Sequence, residues 1–159
     1  MKRGNEDNVK DLMLICGAVL MIGFLLNLIW ENAQAPLYKG YNGFFGHFWI
    51  CFAASVVDAL VLLLLYTLLA MFNHSLYWFL DARVWQHGFL VIIGGLLAVW
   101  FEKWALGAEQ WSYTNAMPVV PSLDVGLLPF LQLMTLPWLT FYASTTAVKR
   151  YTAVSHLDK

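Results

Sequence analysis

Three carboxylic acids, Glu31, Asp58 and Glu102, stand inside or at the edge of long apolar runs. An ionisable group there costs about 2.5–3.5 kcal/mol on insertion scales, and it is retained where it meets a partner or does chemistry. Asp58 lies about ten residues into the second run, and helical spacing puts Cys51, Ser55 and Leu62 on its face. In Asn27-Leu28-Ile29-Trp30-Glu31-Asn32-Ala33-Gln34, the spacing i, i+4, i+7 aligns Asn27, Glu31 and Gln34 as a polar stripe. Glu102 ends a third stripe, above Ala98, Gly94 or Gly95, Val91 and His87, whose small residues permit close helix packing or a cavity. Gln132 falls in the same half of the fourth run. The chemistry such a set could do is proton transfer between carboxyls in different surroundings, with Asp58, the deepest, as acid and Glu31 or Glu102, nearer water, as base. The plainer alternative is that Asp58 only ties helices together and that Glu31 and Glu102 are solvated helix ends.

The segment after the third run, Glu109-Gln110-Trp111-Ser112-Tyr113, places aromatic rings over the same mouth, and Trp111 and Tyr113 join Asn27 and Gln132 as candidate ligand contacts. The two prolines of Met117-Pro118-Val119-Val120-Pro121 favour an extended strap across the outer surface. Ser122 and Asp124 are then expected to cap the fourth helix. Pro137 is expected to kink that helix and open a side lined by Gln132, Thr135 and Tyr142. His47, His74, His87 and His156 are scattered, and Cys16 and Cys51 are not spaced as CxxC, so neither a metal site nor a cofactor is expected.

Elements that could hold these groups follow from hydropathy. The chain has 159 residues, 60% hydrophobic and 12% charged, against roughly 25% charged residues in an average soluble domain. Its apolar residues form four blocks of about 20, the length that crosses the hydrocarbon layer as helix. The sequence therefore predicts an all-α membrane protein, a four-transmembrane-helix antiparallel bundle in one integral membrane domain over 1–159, with helices at about 12–30, 48–72, 84–104 and 125–148. Connections fall at 31–47, 73–83 and 105–124. Lys2, Arg3, Lys10, Arg83, Lys149, Arg150 and Lys159 lie on one side of that layout and Lys39 and Lys103 on the other. Positive charge collects on the cytoplasmic side, so both termini are expected inside, in a bacterial-type cytoplasmic membrane. Trp30, Trp49, Trp100, Trp104 and Trp111 then form an outer aromatic belt, with Trp78 and Trp85 as its inner counterpart. Ala33-Gln34-Ala35 has the form of a signal cleavage site, but the long first run and Pro36 favour a retained helix. A net charge of −1 and the lack of a basic, aromatic-laced patch give no reason to expect nucleic acid as a partner.

The layout is similar to that of small membrane isomerases of the sterol type and small carotenoid cyclase domains, through Glu102, Glu109 and Trp111-Ser112-Tyr113. The acidic step that follows a proline in such cyclases has no counterpart, because Pro129-Phe130-Leu131-Gln132 stands there, and no catalytic role is carried over. The functional expectation is a site in the outer half for a lipid- or isoprenoid-like molecule, with carboxyl acid–base chemistry. Two rivals are a non-catalytic subunit or assembly factor, whose Asp58 and Gly94-Gly95 face would meet a membrane-protein partner, and a homo-oligomeric transporter.

Overall fold

A computed structural model describes residues 5–155, with side chains from 8 to 154. Its helices are α1 (Asn5–Gln34), α2 (Phe44–Phe72), the single turn α3 (Trp78–Asp81), α4 (Val84–Gly107) and α5 (Leu127–Ser155). Helix α1 runs seven residues earlier and four later than the apolar block, because hydropathy marks only the part suited to hydrocarbon. Good helix formers such as Glu6, Lys10 and Glu31 continue it on either side. A 3-10 turn at Ala35–Leu37, with Pro36 in its first turn, ends the run and shortens the first connection.

Helices α1, α2 and α4 are long and apolar enough to cross a membrane, as in a multi-pass membrane protein. Helix α5 equals α2 in length but carries Gln132, Thr135, Thr140, Ser144 and Thr145. Apolar side chains cover the outside as well as the core, unlike those of a water-soluble protein. Met21, Ile29, Ile50, Leu64, Ile92 and Leu96 are exposed, whereas Asn27, Gln34, Ser55, Glu102, Gln132 and Ser144 are buried. An apolar solvent outside, with polar groups turned inward, gives this pattern.

Close packing runs in the order α2, α1, α5, α4, while α2 and α4 are not closely packed on each other. Ile15 and Val19 of α1, Leu62 and Tyr66 of α2, Leu90 of α4 and Phe141 of α5 make the core. Trp78 is not part of an interfacial belt. It is 3% exposed and packs with Tyr66, Phe79 and Phe141, because the short α3 folds its aromatic side under the bundle. Trp85, Trp49, Trp100 and Trp104 do face outward.

Helices α4 and α5 meet at Gly94. Pro137 lacks the N–H that would bond the Leu133 carbonyl within α5. That carbonyl bears on Gly94, where an added Cβ would lie 1.9 Å from the oxygen. Of the two readings for the small residues of α4, close packing is the one realised at this point. Thr135 and Tyr142 do not share a lined side with Gln132: both are exposed, and the Thr135 hydroxyl donates back to the Leu131 carbonyl at 2.8 Å.

The expected strap is a hairpin, with β1 (Val119–Val120) antiparallel to β2 (Val125–Gly126). Ser122 and Asp124 occupy its turn with φ of 69° and 52°, and α5 starts only at Leu127, so they shape the turn rather than cap the helix. Turn formation wins because both residue types tolerate the left-handed region. At the opposite end, the Tyr77 hydroxyl donates to Asp11 Oδ2 at 3.0 Å, and Gln86 bonds Asn73 at 2.7 Å. Lys10, Arg83, Lys149 and Arg150 lie toward this end, and Lys39 and Lys103 toward the hairpin end. Lys2, Arg3, His156 and Lys159 fall outside the described residues.

Candidate functional site

Helix α1 presents one strip inward at steps of four, from Asp11 through Ile15, Val19 and Gly23 to Asn27. Apolar in its lower half, it turns polar at Asn27, Glu31 and Gln34. The Asn27 amide N–H₂ bonds back to the Gly23 carbonyl at 2.8 Å, leaving its Oδ1 as an acceptor toward α5.

Gln132 of α5 is the hub. Its Nε2 donates toward Asn27 Oδ1 at 2.9 Å, Glu31 Oε1 at 2.8 Å and Asp58 Oδ2 at 3.1 Å. Its Oε1 accepts from Gln34 Nε2 at 2.9 Å, and the same Gln34 nitrogen lies 3.0 Å from Glu31 Oε1. Three helices are joined through one side-chain amide. Two N–H bonds serve three acceptors here, so the cluster is short of donors.

Glu102 of α4 completes the set from the other side. It is 4% exposed and accepts a hydrogen bond from the Tyr113 hydroxyl, which in turn accepts from the Gly126 backbone N–H at 2.9 Å. Asp58 lies within electrostatic range of both Glu31 and Glu102. Although Asp58 sits deepest along its helix, it is only partly buried, and Glu102 is the more enclosed carboxyl. The reason is lateral: α2 is an outer helix, whereas Glu102 lies under the hairpin.

The two connections at this end are tied together. Lys39 N–H donates to the Ser112 carbonyl at 2.8 Å, Thr114 N–H to the Leu37 carbonyl at 2.9 Å, and Tyr38 forms a bridge with Tyr113. Rings follow the backbone, with Tyr38 against Tyr113 at 5.6 Å and against Trp111 at 6.2 Å. Burial, and after it the carboxyls of Glu102, Glu31 and Asp58, push the Tyr38 phenol above its ordinary range. Burial and the bond to Glu102 do the same to Tyr113. Both phenols therefore keep their protons and can donate.

The geometry thus brings together Asn27, Glu31, Asp58, Glu102, Gln132 and Tyr113, with Trp111 at the rim. Glu109 is exposed and stands apart. Tyr38 and Gln34 are the members the site expectation lacked. Gln34 was legible, lying on the same stripe as Asn27 and Glu31. Tyr38 was not, since it reaches the site through a bridge between segments 75 residues apart in sequence. Among the described residues, no group of three His, Cys, Asp or Glu side chains could hold a metal ion.

Tyr113→Phe removes the hydroxyl that links Glu102 to Gly126. One lost hydrogen bond of about 1–1.5 kcal/mol corresponds to roughly tenfold faster opening. Amide hydrogen exchange is expected to speed by that factor at Gly126 and its neighbours, with the helices unchanged.

Compared with family models, curated proteins and solved structures, the chain finds no match.

Proposed function

We propose that this chain is a four-span membrane protein, with α5 as the fourth span, whose outer-half cluster binds a lipid- or isoprenoid-like molecule and performs acid–base chemistry on it. Both termini face the cytoplasm of a bacterial-type membrane. The observation that carries the reading is the meeting of Glu31 and Asp58, from two helices, at the Gln132 amide of a third, with Glu102 of a fourth helix within electrostatic range of Asp58. Carboxyls held only to tie helices together would need one partner each, not mutual proximity that raises their electrostatic cost. In this reading Asp58 is the proton donor and Glu31 the acceptor, while Glu102 and Tyr113 hold the hairpin over the site. Because Asp58 is only partly buried on the outer helix α2, a molecule dissolved in the bilayer can reach it from the side.

The rival of a non-catalytic subunit loses one of its particular contacts. Gly94 meets Leu133 of its own chain and is not left for a partner helix.

The test is purification in a mild detergent followed by native mass spectrometry. A retained small amphipathic molecule is the expected result. Stoichiometric protein subunits with no small molecule would overturn the proposal. Reporter fusions at each terminus are expected to place both inside; opposite locations would remove α5 as a span.

A further inference from the structure

The cluster has an excess of acceptors that its own residues do not meet. Glu31 and Asp58 each use one oxygen, both toward the single nitrogen of Gln132. Glu31 Oε2 and Asp58 Oδ1 take no hydrogen bond from the described residues. A carboxylate offers about four acceptor sites, so most of this capacity is open. A separate observation comes from Gln34. It is 2% exposed, its Nε2 is fixed between Glu31 and Gln132, and its Oε1 is buried without a hydrogen-bond partner. An unmet buried carbonyl is costly, and here the oxygen belongs to the amide whose nitrogen bonds Glu31 and Gln132.

Among the described residues, no cation meets this demand. Lys39 and Lys103, the basic residues of this end, are exposed, and neither is hydrogen-bonded to Glu31, Asp58 or Glu102. The phenol of Tyr113 is used by Glu102. What the site lacks is a compact group with several N–H donors, no acceptor and positive charge.

We infer that the molecule bound here carries a protonated primary amine, seated among Glu31, Asp58 and the Gln34 carbonyl. An ammonium group presents three donors and no acceptor, which matches three acceptors supplied by two helices. Its charge also favours the ionised form of Asp58, the form left once that carboxyl has given up its proton, and offsets the repulsion between the two carboxylates. A neutral alcohol would satisfy one acceptor at most as a donor. A quaternary ammonium would bring charge without any N–H. The inference rests on the proposed outer-half ligand site and specifies the headgroup of its ligand.

Three probes with the same twelve-carbon chain separate these cases: dodecylammonium, dodecanol and dodecyltrimethylammonium. Binding to the intact protein in nanodiscs of zwitterionic lipid is followed by tryptophan fluorescence, since Trp111 lies at the rim. Dodecylammonium is expected to bind at least tenfold tighter than either of the others. That preference is expected to fall to within about twofold in the isosteric Glu31→Gln, Asp58→Asn double variant. Tighter binding of dodecanol would overturn the amine headgroup and leave the site reading intact. Equal binding of the two cations, or a preference unchanged in the double variant, would overturn the inference as well. No saturable binding of any probe would remove both the headgroup and the site. The three-probe comparison on the unmodified protein stands even if the double variant fails to fold.

Discussion

Gly94→Ala is expected to lower the unfolding temperature by roughly 4–12 °C, while Gly95→Ala, one residue along the same helix, leaves it unchanged or raises it. At position 94 the new methyl would lie 1.9 Å from the Leu133 carbonyl oxygen and 2.8 Å from its carbon. Both are backbone atoms and cannot turn aside as a side chain would. Helices α4 and α5 must separate, at about 2–3 kcal/mol, the range of overpacked cores. At position 95 the nearest atoms are those of the Phe130 ring, at 3.4 and 3.5 Å, an ordinary contact. There the gain in helix propensity, up to about 1 kcal/mol, stands alone. Thermal unfolding in detergent, followed by circular dichroism, measures both. Equal effects at the two positions would mean that α4 and α5 do not meet at Gly94. The close approach also positions the site, because Glu102 and Gln132 sit on these two helices. Separating the helices is expected to cost ligand retention in Gly94→Ala and not in Gly95→Ala.

Gln132→Leu is expected to destabilise the protein by about 3 kcal/mol and to abolish ligand retention. Leucine fills the volume but withdraws the donor to Asn27, Glu31 and Asp58 and the acceptor for Gln34. Hydrogen bonds between membrane helices average about 0.6 kcal/mol and reach about 1.7, and those to charged groups are the stronger ones. Three acceptors sharing two N–H donors, with the bond accepted from Gln34, therefore outweigh most single substitutions in the bundle. Thr135→Leu serves as the comparison, since that side chain is exposed and bonds only within its own helix. It is expected to change stability by no more than about 0.5 kcal/mol. A similar loss in both variants would show that α5 is sensitive everywhere and that Gln132 is no hub.

Much of this organisation could be read from residue spacing. Asn27, Glu31 and Gln34 share a face because the helix continues past Trp30, and Asp58 follows Cys51 and Ser55 along the buried side of α2. What spacing could not supply was anything set by contacts distant in sequence. Tyr38 enters through its bridge to Tyr113, and Trp78 is drawn into the core by α3. Ser122 and Asp124, good capping residues in isolation, were claimed instead by a hairpin turn whose strands pair Val119 with Gly126. Pro137 correctly signalled a freed carbonyl. Its consequence was a tight contact with Gly94, not an open side near Thr135 and Tyr142. Depth along a helix also proved a poor guide to enclosure, since Asp58 is deep yet partly buried and Glu102 lies near the end yet is covered.

Whether the carboxyl cluster binds a ligand or only joins helices is read from stability and ligand retention, measured on the same samples of wild type, Asp58→Asn and Glu31→Gln by thermal unfolding and native mass spectrometry. Both substitutions keep the shape and one acceptor oxygen toward Gln132 while removing a carboxyl. The expected result is a fall of tenfold or more in the retained molecule, with unfolding temperatures within about 4 °C of wild type, the shift produced by roughly 1 kcal/mol in a chain of this size. Unfolding temperatures that drop sharply while retention per folded molecule stays at the wild-type level would contradict it, and would leave Glu31 and Asp58 as structural ties between α1, α2 and α5.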